Sequence, residues 1–140
     1  MINKILLPTD GSEHSQKALD YTIDFALKFE ADVVLVYVYD LPGEALGLTS
    51  GNQDIENSLR FYGDDLLKEY KEILENKGIK TRTLLLKGDT GEAISEISLD
   101  ENCDIVIMGI RGLSTLKSLI LGSASDYVLR HTKCPVLVIK

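Results

Sequence analysis

Five short apolar runs punctuate the chain, and between them the apolar residues recur at helical spacing. The runs are Ile5-Leu6-Leu7-Pro8, residues 33–39 (Val-Val-Leu-Val-Tyr-Val-Tyr), residues 81–86, residues 105–108 and residues 136–139. Most are apolar at successive positions rather than at alternate ones, the pattern of strands buried on both faces of a parallel sheet covered by helices. The third alternates weakly before closing on Leu84-Leu85-Leu86.

Four helices are predicted between the strands. Ser12 is placed to cap the first, with Leu19, Ile23, Ala26 and Leu27 on its apolar face and Phe25 and Phe29 widening it. The second spans residues 54–77, with a stripe of Ile55, Leu59, Tyr62, Leu66, Tyr70 and Ile73, and Gly78 supplies a left-handed stop. The third begins at Asp89 or Thr90. Asp89 and Glu92 have capping-box spacing, and Ile94 and Ile97 face inward. The fourth begins near Ser123 and runs to about Arg130, with Val128 and Leu129 inward, and Pro135 prevents its continuation. The order β-α-β-α-β-α-β-α-β predicts a single α/β domain over residues 1–140, a doubly wound five-stranded parallel sheet with right-handed crossovers and helices on both faces. Residues 40–53 form the one long irregular stretch, a mobile lid, a partly disordered segment or a plain tolerated insertion.

Composition narrows the function. The 140 residues are 44% hydrophobic, enough for one core, and no apolar run approaches the roughly 20 residues of a membrane helix. The apolar start is too short for a signal peptide, which points to the cytoplasm. A formal charge of −7 with scattered Lys and Arg argues against nucleic acid. Cys103 and Cys134 have no metal-site spacing and are expected as small buried hydrophobes. A disulfide between them needs neighbouring strands and an oxidising compartment.

Open α/β sheets bind ligands at the carboxyl ends of their strands, where the winding reverses. Two segments then matter: Pro8-Thr9-Asp10-Gly11-Ser12 after the first strand, and Gly109-Ile110-Arg111-Gly112 after the fourth. After nine intervening residues, Gly122-Ser123 opens the fourth helix. Glycines permit positive φ and close approach, and a helix N-terminus offers unpaired N–H groups at the positive end of its dipole. Ser123 and Ser125 add hydroxyl donors, so the segment can cradle phosphates without a lysine. The same glycines can equally serve turns, with Ser123 an ordinary helix-start residue. Neither the Walker nor the dinucleotide-fold spacing is present. Asp10, an acid at a strand's carboxyl end, favours ligand contact over turn capping. Arg111 lies within reach of a phosphate but reads more simply as a solvated charge. His14 reads as an exposed helix histidine and His131 as a cation at a helix C-terminus. Ser114, Thr115 and Ser118 read as solvated loop hydroxyls before phosphorylation sites, with Leu116, Leu119 and Ile120 packing the loop down.

The chain resembles the universal stress protein family, in Ile5-Leu6-Leu7-Pro8-Thr9-Asp10-Gly11-Ser12, in Cys103-Asp104-Ile105-Val106-Ile107-Met108-Gly109 and in Cys134-Pro135-Val136-Leu137-Val138-Ile139. Its ATP-binding members carry G-x2-G-x9-G-[ST], which Gly109, Gly112, Gly122 and Ser123 fit without a gap. The resemblance implies strand order 3-2-1-4-5 and ATP as ligand, with Mg2+ held through the phosphates. It implies that Pro8, Thr9 and Asp10 meet the adenosine half, the Val38 backbone the adenine, and Met108 and Gly109 the ribose. Gly112, Gly122, Ser123, Ala124 and Ser125 would hold the phosphates, and residues 136–139 would form a homodimer. Ile110, Leu113 and Ala124 depart from residues usual at their positions, which removes side-chain contacts and leaves the backbone cradle. An ATP-binding regulatory protein is the reading that follows. A slow or autophosphorylating hydrolase is weaker, because Asp10 is the one acid in the crevice and no lysine is dedicated to the γ-phosphate. A nucleotide-free dimeric adaptor is the remaining alternative.

Overall fold

A computed structural model describes residues 1–41, 53–111 and 121–140. Five strands, β1 (Lys4–Pro8), β2 (Asp32–Tyr39), β3 (Thr81–Lys87), β4 (Ile105–Gly109) and β5 (Val136–Ile139), form one parallel sheet in the order β3-β2-β1-β4-β5. The helices are α1 (Glu13–Phe29), α2 (Gln53–Asn76), α3 (Thr90–Asp100) and α4 (Ser123–His131). The winding moves outward from β1 to β3, then returns across β1 to β4 and β5, so the reversal falls between β1 and β4.

Side-chain alternation on the central strands divides the core into two layers. Ile5 and Leu7 of β1, Val33 and Leu35 of β2, and Ile105 and Ile107 of β4 pack with α1 and α2. Leu6, Val34, Val36, Val106 and Met108 point the other way, toward Ile94 of α3 and Val128 of α4. The successive apolar residues of these strands are thus explained by a sheet covered on both sides.

Local signals set the helix ends. Ser12 accepts the Ser15 N–H at 3.2 Å and caps α1, and Asp89 accepts the Glu92 N–H at 3.0 Å and caps α3. Gly78 turns the chain after α2 with φ +82. Changing Ser12 to alanine removes the cap, and a loss of about 1 kcal/mol is expected. In scanning calorimetry this lowers the melting temperature by about 3 °C.

Several helix positions differ from the periodicity. Leu27 is 52% exposed, Leu129 44% and Ile55 49%, so each lies outside the stripe that predicted it. The core-facing arcs are narrower: Leu19, Ile23 and Ala26 carry α1, Val128 carries α4, and Leu66, Leu67, Tyr70 and Leu74 carry α2. Both thiols are free although β4 and β5 are neighbours. Cys103 is buried, and that burial pushes its thiol up to about 12, whereas Cys134 is half-buried. Among the described residues, no helix is long and apolar enough to cross a membrane. The lid-or-insertion reading of 40–53 falls almost wholly outside the described residues, as do Gly112, Leu113 and the loop hydroxyls Ser114, Thr115 and Ser118, with Leu116, Leu119 and Ile120.

Candidate functional site

A cavity of about 530 Å³ opens at the carboxyl ends of the strands, at the β1–β4 reversal. Its walls come from four places. The end of β1 and the turn after it contribute Pro8, Thr9 and Asp10, and the end of β2 contributes Val38 with Val36, Tyr37, Tyr39 and Asp40. The end of β4 and the residues after it contribute Met108, Gly109 and Arg111, and α4 begins against them with Gly122, Ser123 and Ala124. Ser15 of α1, Leu59 of α2, Thr90 and Ile94 of α3, and Leu121 add to these walls. A smaller cavity of about 350 Å³ lies at the opposite end of β4 and β5, beside Cys103 and Cys134.

The β1 side is held by short polar contacts. The Thr9 N–H donates to the Val36 carbonyl at 2.9 Å, and its hydroxyl meets Ser15 Oγ at 2.5 Å. Asp10 Oδ1 accepts the Ser12 N–H at 2.9 Å, so the carboxylate does cap the turn while it lines the cavity. Gly11 has φ +80, a conformation that favours glycine.

On the β4 side the glycines make room rather than turn the chain, because neither Gly109 nor Gly122 has positive φ. A Cβ on Gly109 would lie 2.7 Å from His14 Cβ, so glycine lets the first turn of α1 rest on the end of β4. His14 is therefore half-buried, not the exposed histidine its position in the first turn predicts. Gly122 is the N-cap of α4, in extended conformation (φ −67, ψ 161), and has no side chain to accept from the first turn's N–H groups. A Cβ there would sit 3.0 Å from Arg111 Cα and 3.2 Å from the Ile110 carbonyl oxygen. Unlike α1 and α3, α4 thus begins without a side-chain cap, and its positive dipole end faces the cavity.

Ser125 corrects the expected donor set. Its hydroxyl is buried and donates to the Ile110 carbonyl at 2.5 Å, so it braces α4 against the β4 segment and offers no hydroxyl to the cavity. Ser123 is exposed at the cavity rim. Arg111 is half-buried in the wall rather than fully solvated.

Two groups of side chains escaped the sequence reading. Tyr62, assigned to the core by its stripe, is 43% exposed and donates its hydroxyl to the Asp10 carbonyl at 2.9 Å. The phenols of Tyr37 and Tyr62 are both held above the usual tyrosine range, chiefly by burial, with the Asp10 charge adding to each. At the far end of β2, the Tyr39 hydroxyl donates to Glu56 Oε2 at 2.8 Å and accepts from Arg60 Nη1 at 3.1 Å. Lys87 Nζ lies 3.5 Å from the same carboxylate, and the Tyr39 hydrogen bond is the main cause holding the Glu56 carboxyl below its usual range. The signal for both groups was a polar tip on an apolar stripe, which periodicity does not distinguish from core.

Comparison with known proteins adds the lineage. Residues 1–140 match the model of the universal stress protein family. The chain is 34% identical over 141 residues to the universal stress protein MJ0531 of Methanocaldococcus jannaschii, covering all of this chain and 83% of that protein. The solved structure of MJ0577 from the same organism superposes with a TM-score of 0.89 at 34% identity, over 100% of this chain and 96% of that one. A universal stress protein family protein from Arabidopsis thaliana with AMP bound shares the fold, with a TM-score of 0.70 at 18% identity over 99% of this chain and 91% of that one.

Proposed function

The chain belongs to the universal stress protein family, and from that premise we propose that it binds an adenine nucleotide in the cavity at the β1–β4 reversal. The ligand is ATP, with a divalent ion carried on its phosphate oxygens, and the protein acts in the cytoplasm as a regulator whose nucleotide state partners read. The observation that carries this reading is the glycine-capped start of α4, which faces a cavity that also holds Asp10. Main-chain N–H groups at a helix start suit phosphate oxygens, so a chain of charge −7 needs no basic cluster to hold them. The AMP carried by the Arabidopsis relative of the same fold supports the choice of an adenine nucleotide.

In this proposal Pro8, Thr9 and Asp10 meet the adenosine half and the Val38 backbone meets the base. Met108 and Gly109 flank the ribose. Gly112, Gly122, Ser123, Ala124 and the Ser125 backbone take the phosphates. Binding without efficient turnover is the expected behaviour, because phosphoryl transfer needs a placed base and a metal-holding acid beyond Asp10. The proposal extends to a homodimer through β5, which ends the sheet and is largely apolar.

Isothermal titration of the purified protein with Mg-ATP tests the reading. Saturable heat at one nucleotide per chain is expected, and a folded sample that gives no heat overturns it. Hydrolysis faster than about one per second would reassign the protein as an enzyme.

A further inference from the structure

We propose that Tyr62 of α2 is a positioning residue that holds the Asp10 segment in its ligand-facing geometry. This inference rests on the nucleotide reading above and names a residue outside the cavity lining. The segment between β1 and α1 is short and turns through Gly11 at φ +80. The Asp10 N–H donates to Ser15 Oγ at 3.4 Å, and two further hydrogen bonds bear on its position. Its Oδ1 accepts the Ser12 N–H at 2.9 Å, which is local, and its carbonyl accepts the Tyr62 hydroxyl at 2.9 Å, which reaches across 52 positions of the chain.

The Tyr62 bond ties the turn to α2, beside the Thr9 N–H that ties the end of β1 to Val36. The Tyr62 ring stands edge-on to Tyr37, with centroids 5.8 Å apart and planes at 61°. Tyr37 is 6% exposed and forms part of the cavity wall. Tyr62 therefore braces the cavity twice from outside, through its ring on Tyr37 and through its hydroxyl on Asp10. The glycine at position 11 fits this arrangement independently of its φ, because a Cβ there would collide with the Tyr62 oxygen. At 43% exposure Tyr62 stands at the edge of the core, its ring packed on Tyr37 and its hydroxyl on a main-chain carbonyl.

Tyr62→Phe keeps the ring and removes the bond. Two measurements on the full chain read the result, with Tyr21→Phe, 49% exposed on α1, as the control. In amide exchange followed by NMR, the Ser12 amide should exchange several-fold faster in Tyr62→Phe, and the core amide of Leu19 should not change. In calorimetric titration, affinities for adenosine and for Mg-ATP should both fall by the same factor, about two- to tenfold, because Asp10 serves the adenosine half. Unchanged Ser12 exchange overturns the proposal, and so does an adenosine affinity equal to that of the unsubstituted protein. A loss seen with Mg-ATP alone also overturns it. If the unsubstituted protein takes up no nucleotide, the functional reading fails by itself, and Ser12 exchange then decides whether Tyr62 holds the segment.

Discussion

Replacing Gly122 by valine is expected to weaken Mg-ATP binding at least about 100-fold, the scale of loss when a binding group moves by an ångström. The reason is space and not backbone strain, since Gly122 has φ −67. A Cβ would lie 3.0 Å from Arg111 Cα and 3.2 Å from the Ile110 carbonyl oxygen, main-chain neighbours with little freedom to withdraw. The first turn of α4 must then shift away from the β4 segment or push its added methyl groups into the cavity. Either outcome misaligns the N–H groups proposed to meet the phosphates. Titration of a variant with an unchanged circular dichroism spectrum reads the effect, and Gly122→Ala should fall between valine and glycine. Full affinity in the valine variant would remove α4 from the site.

The second large effect concerns the scaffold. Ile107→Ala is expected to cost about 2–5 kcal/mol in urea denaturation. Ile107 is wholly buried in β4, in the layer shared with α1 and α2. Deleting three methylene-sized groups there leaves a void that the sheet, held between two helical layers, cannot collapse around. Such a loss is a large share of a typical 5–15 kcal/mol of stability. By contrast, Ile55→Ala on α2, at 49% exposure, should cost less than about 0.5 kcal/mol of unfolding free energy. Equal effects at the two positions would contradict the layer assignment.

The strands were the most legible part of the sequence. Runs such as 33–39 are apolar at every position, and a two-sided sheet is the economical explanation, realised as Val33 and Leu35 on one face and Val34 and Val36 on the other. Placing the cavity also needed little more than topology, because the residues after β1 and β4 meet wherever the winding reverses. Helix faces were less legible. Periodicity gives the direction of a stripe but not its width, so Leu27 and Leu129 were assigned inward although the packed arc stops one position short of each.

Polar tips were the least legible. Ser125 has the same spacing whether its hydroxyl points at a ligand or at the Ile110 carbonyl, and only the approach of α4 to the β4 segment decides. Tyr62 fits an apolar stripe, yet its hydroxyl finds a carbonyl 52 residues away. The glycines show the same limit. Gly109 and Gly122 do line the cavity, but Gly109 is small because His14 packs on it, a contact no local pattern contains.

The placement of β1 between β2 and β4 has a consequence for how the molecule is made. As the chain leaves the ribosome, β1, β2 and β3 can pair while the last third is still unsynthesised, since they are consecutive and adjacent. That nascent half-sheet leaves one flank of its first strand bare, and with it Leu6 and Leu7, until β4 arrives. The crevice is therefore completed last. A chain cut short before α4 would keep that flank exposed and would lack one wall of the cavity.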